Sequence, residues 1–79
     1  MGARNVGSIG AAKVESASLS REDVALLRLL AQGLPLDAVA RRLRTSERTV
    51  RRRERAICDR LSVGTPIEAV VWAARQGLL

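Results

Sequence analysis

The residues best equipped for chemistry in this 79-residue chain are arginines, and they are unevenly distributed. Nine of them, Arg41, Arg42, Arg44, Arg48, Arg51, Arg52, Arg53, Arg55 and Arg60, fall in one quarter of the sequence, against only Glu47, Glu54 and Asp59. That segment carries the whole net charge of +6, because Arg4, Lys13, Arg21, Arg28 and Arg75 are balanced elsewhere by Glu15, Glu22, Asp23, Asp37 and Glu68. A guanidinium is a planar, permanently charged fork of donors. It holds phosphate oxygens strongly and pairs in two bonds with the edge of a guanine. A focused positive patch is the electrostatic footprint of a polyanion, and solubility alone does not require such focusing.

Other chemistry is excluded by what the chain lacks. It has no histidine and a single cysteine, Cys58. A histidine base and a Ser-His-Asp triad are therefore impossible, and a structural zinc site has no ligand set. Neither paired carboxylates nor a phosphate-binding loop appears, so no enzyme activity, metal or cofactor is expected. A lone thiol cannot form an internal disulfide, which fits a reducing compartment. No apolar run reaches the length of a membrane span, and residues 1–18 lack the apolar stretch of a signal peptide. The expectation is a cytoplasmic protein with no membrane partner. Cys58 reads as inert packing, although Arg55 one turn earlier would favour its thiolate.

The elements that must position the arginines are short helices. With one Trp and no Phe or Tyr, the core must be built from Leu, Val, Ile and Ala. Residues 1–18, rich in Gly, Ala and Ser, read as a flexible arm or linker remnant, and residues 19–79 as one domain. Ser20 is a good N-cap, with Asp23 three residues on to reach back, and Leu19 and Val24 in staple positions. Val24, Leu27, Leu30 and Ala31 mark the inward stripe of that first helix, and Gly33 stops it. Pro35 and Asp37 suit the start of a second helix, whose apolar face is Leu36, Val39, Ala40 and Leu43. Arg44 and Thr45 make a tight connection. Ser46 caps a third helix, and Thr65-Pro66-Ile67-Glu68 reads as a capping box opening a fourth that ends at Gly77. The expected fold is all-α, a compact four-helix bundle containing a helix-turn-helix.

At about 100° per residue, Val50, Ile57 and Leu61 of the third helix fall on one side. Arg48, Arg51, Arg52 and Arg55 fall on the other, and Arg53 and Arg60 flank the apolar stripe. Glu54 lies nearer the stripe than the arginines, where an ion pair with Arg51 is the expected role. An apolar back and an arginine front suit a helix that enters a DNA major groove. A membrane-surface helix would need bulkier apolar residues. RNA readers usually expose aromatics for stacking, and the only aromatic here, Trp72, sits on another helix as core or boundary packing.

Residues 19–79 resemble the C-terminal DNA-binding domain of LuxR-type (GerE-type) regulators. The matching segments are LLRLLAQGL (26–34), AVARRL (38–43), TSERTVRRR (45–53), RLSV (60–63) and EAVVWAARQGLL (68–79), in order and correctly spaced. The resemblance implies a sequence-specific transcriptional regulator, or its DNA-binding domain, with double-stranded DNA as partner. Base contacts are implied at Arg51, Arg52 and Arg55, and phosphate contacts at Ser46, Arg48, Thr49 and Arg53. Members commonly bind as homodimers, here on an inverted-repeat site through Val70, Val71 and Ala74 of the fourth helix, residues that core packing would equally explain. RNA polymerase is an implied further partner. Departures from the family pattern fall at Glu22 and Asp23, at Pro35, at Arg53 in place of a frequent His and at Glu54 in place of a frequent apolar residue. Two alternatives stand beside this reading: a sigma-factor region-four-like domain, which shares the Leu-rich helix before a helix-turn-helix, and a protein-interaction module.

Overall fold

The computed structural model describes residues 19–79, so the arm expected at 1–18 lies outside the described residues. Among those described there are four helices and no strand: α1 (Arg21–Ala31), α2 (Leu36–Arg42), α3 (Glu47–Leu61) and α4 (Pro66–Arg75). The all-α expectation holds.

Local sequence sets where each helix starts. Before α1, the Ser20 hydroxyl accepts from the Asp23 N–H at 3.1 Å, and the Asp23 carboxylate accepts from the Ser20 N–H at 3.0 Å. Two otherwise orphaned amides are satisfied together, an arrangement worth about 1 kcal/mol. Ahead of α4, the Thr65 hydroxyl accepts from the Glu68 N–H at 3.2 Å and donates back to Glu68 Oε2 at 3.2 Å. The return bond expected of a capping box is displaced by one residue, since the Glu68 carboxylate takes the Gly64 N–H at 3.5 Å. Pro35 occupies the N-cap position of α2 and has no side-chain oxygen to offer. That short helix relies instead on Asp37 near its amides, which also pairs with Arg41 at 3.2 Å.

Helix ends share one device. After each helix the backbone passes through the left-handed region, at Gly33 (φ 79°), Arg44 (φ 56°), Ser62 (φ 57°) and Gly77 (φ 75°). Behind α2, the Arg44 N–H reaches the Arg41 carbonyl at 3.1 Å and the Thr45 N–H reaches Ala40 at 2.9 Å. Corresponding pairs follow α3, from Ser62 to Asp59 and Val63 to Cys58, and α4, from Gly77 to Ala74 and Leu78 to Ala73. This pattern satisfies the last carbonyls and turns the chain sharply.

The core gathers Leu26 and Leu27 from α1, Val39 and Ala40 from α2, Val50, Ile57 and Cys58 from α3, and Ala69 and Ala73 from α4. Burying a Leu, Ile or Val side chain stabilises by roughly 1.5–3 kcal/mol, so Leu26, Leu27, Ile57, Val39 and Val50, all fully buried, dominate. Packing is closest between α1 and α4, α2 and α3, and α3 and α4. The alanines of α4 let it approach α1 and α3. One expectation fails: Ala31 is exposed at the last position of α1, and Leu26 takes its place inside. The helix is covered over a wider arc than a single stripe because several neighbours press on it.

Candidate nucleic-acid interface

The second and third helices and their tight turn bring the arginines together. Ser46 caps α3 by accepting from the Thr49 N–H at 3.1 Å, and its own hydroxyl donates to Thr49 Oγ1 at 3.0 Å. Ser46 is thus committed to the cap, while the Thr49 hydroxyl keeps its proton for an outside acceptor. Val50 and Ile57 anchor the back of the helix in the core. With that face fixed, the helical period sends Arg48, Arg51, Arg52 and Arg55 outward, and all four are exposed. Neither of the two ion pairs among the described residues involves them. Arg53, placed by resemblance near phosphate, is half-buried at the edge of this front.

Two members of the basic segment face other duties. Arg60 Nη1 lies 2.8 Å from Asp23 Oδ2, tying the end of α3 to the start of α1. The carboxylate that caps α1 is buried apart from a small fraction, and the guanidinium is a second donor to the same Oδ2 that accepts from the Ser20 N–H. Local pattern gave Asp23 only the capping role, because nothing in the sequence signals a partner 37 positions away. Arg41 is engaged with Asp37 in an exposed pair worth little. The outward charge is therefore concentrated on α3 and on Arg42 and Arg44 just before it.

Glu54 is half-buried on the core side of α3, as its spacing suggests. Burial pushes its carboxyl above the ordinary value, and Arg51 opposes this more weakly. The expected Glu54–Arg51 contact does not close into an ion pair, although the Arg51 charge acts on the Glu54 carboxyl. Cys58 corrects a second expectation. Burial raises its thiol, and Glu54, Asp59 and Glu68 raise it further, so the thiolate is disfavoured rather than favoured by Arg55. The sulfur is packing.

Of the residues implied for dimer contact, Val71 and Ala74 are exposed on α4, whereas Val70 is half-buried against the core. Ile67, which the sequence reading passed over, is the most exposed large apolar residue among the described residues, at 66%. Its spacing of four from Val71 and seven from Ala74 was the available signal. Trp72 is half-buried against the core, in keeping with boundary packing. Among the described residues no cluster of acidic, His or Cys side chains could hold a metal, and no helix is long and apolar enough to cross a membrane.

A short helix, a tight turn and a longer helix with an arginine front define a helix-turn-helix domain. Comparison makes this specific: the chain matches the family described as bacterial regulatory proteins, luxR family, over residues 17–73, and belongs to it. The family is one of DNA-binding regulatory domains, not of enzymes. The chain is also similar to transcriptional regulatory protein YdfI of Bacillus subtilis (strain 168), with 38% identity over 61 residues. That alignment takes in 77% of this chain and 29% of the relative, so the chain spans under a third of the protein it resembles. Comparison with solved structures gives no significant match.

Proposed function

We propose that this domain is the sequence-reading part of a transcriptional regulator, that α3 enters the major groove of double-stranded DNA, and that two copies bind the halves of an inverted repeat. The observation that carries the reading is the row Arg48, Arg51, Arg52 and Arg55, exposed and outside the ion pairs among the described residues, on a helix whose back is locked into the core. Arg51, Arg52 and Arg55 lie where a guanidinium would meet base edges. Arg48, Thr49 and Arg53, with the cap at Ser46, lie nearer the flanking phosphates. The amides at the start of α3 add a positive dipole end there. For the second copy, the surface in favour is Ile67, Val71 and Ala74, with Val70 behind them. RNA polymerase is a further partner in this reading.

Selection of bound duplexes from a random pool tests this. The expected product is an inverted repeat that beats scrambled DNA by at least about a thousandfold. Arg51→Ala and Arg55→Ala are each expected to cost about 1–3 kcal/mol on that duplex and to relax one base position. Variants that bind every sequence as the parent does would overturn the reading.

A further inference from the structure

The four left-handed turns that end the helices are not filled alike. Two hold glycine, at Gly33 and Gly77, one holds the small Ser62, and one holds Arg44, the bulkiest of the set. At this conformation the Cβ of an L-residue crowds the following carbonyl, and glycine is the residue that avoids the conflict. The Arg44 turn is a complete one, with both carbonyl-satisfying bonds formed, so the strained φ of 56° is held by the fold. The arginine gains nothing visible in return: its side chain is exposed and neither hydrogen-bonds nor pairs with a carboxylate among the described residues. Arg41 is engaged with Asp37, but Arg44 is not. It stands two residues before the Ser46 cap, at the N-terminal end of α3.

We propose that Arg44 is a DNA-backbone contact: its guanidinium holds a phosphate beside the groove that α3 reads, and this contact keeps an arginine where the backbone calls for glycine. The inference rests on the major-groove reading and adds to it a residue outside the reading helix. A phosphate contact carries no base information, so Arg44 sets affinity and register but not sequence. The rival account is purely local, with the positive charge favouring the carbonyl end of α2.

Three variants separate these accounts, each measured for thermal stability and for binding to the selected inverted repeat and to a random-sequence duplex across a salt series. Arg44→Gln keeps the strain and removes the charge. It should bind both duplexes roughly three- to tenfold more weakly, and the slope of log affinity against log salt should shrink by about 0.9 per bound subunit. Arg44→Lys should hold the slope. Arg44→Gly should lose binding as Arg44→Gln does, yet melt a few degrees higher. Equal loss on both duplexes identifies a backbone contact. If the parent binds with a steep salt slope and Arg44→Gln matches it, the Arg44 contact is overturned and the groove reading stands. If the parent shows no salt-dependent binding, both fall. A lower melting point for Arg44→Gly would assign the arginine to the end of α2 instead.

Discussion

Helices α3 and α4 each turn an apolar side inward and leave a side outward without a partner, but the two outward sides are chemically opposed. On α3 it is a row of guanidinium groups, and on α4 it is Ile67, Val71 and Ala74. The first attracts a polyanion from a distance, through a field that salt screens. The second acts only on contact, by removing apolar area from water. On the proposed function, the two faces separate two tasks, sequence reading on α3 and association of copies on α4.

The largest expected effect breaks the α4 half of that comparison. Ile67→Asp combined with Val71→Asp should weaken binding to a duplex with two half-sites by about a hundredfold, because the gain from linked binding is lost. Affinity for a single half-site should stay unchanged. Equal loss on both would mean that α4 affects α3 rather than a second copy, and titration of matched one- and two-site duplexes reads the difference.

A medium effect sharpens the α3 half by asking which arginines belong to it. Asp23→Ala removes the α1 cap and the partner of Arg60. The cap is worth about 1 kcal/mol, and the half-exposed ion pair adds less than that. A fall in Tm of about 4–10 °C is expected, with an unchanged salt slope for DNA, since Arg60 faces α1. A changed slope would move Arg60 onto the binding surface.

The smallest effect concerns Glu54, the acid among the arginines. Its carboxyl is raised from about 4.5 by burial, so ionisation is disfavoured in the folded state. Its contribution to stability is whole below that ordinary value and is lost as pH rises through the raised one. Glu54→Gln should therefore melt slightly higher than the parent near neutral pH, and the gap should close as the pH is lowered past the carboxylate range. Melting curves across pH test the sign.

Much of this was legible because it is local. The Ser20–Asp23 cap, the Thr65 cap and the arginine front all follow from residues within a turn or two of one another. Glu54 was correctly placed near the core by spacing alone. What escaped depends on partners far along the chain. The Arg60–Asp23 bond, the wide buried arc that takes Leu26 and leaves out Ala31, and the burial that is the largest cause of the Cys58 shift each need neighbours that only the fold supplies. Ile67 was missed for another reason. As the residue after Pro66 it reads as part of the helix start, and its outward direction emerges only once Ala69 and Ala73 are fixed inside.

The single tryptophan now acquires a practical meaning. Trp72 is the chain's only aromatic residue, and it is half-buried on α4, between the packed interior and the exposed apolar row. Emission excited in the near ultraviolet therefore comes from one position on α4 and none on α3. A shift in that emission as protein concentration rises would report the proposed association through α4, while the arginine face of α3 stays optically silent.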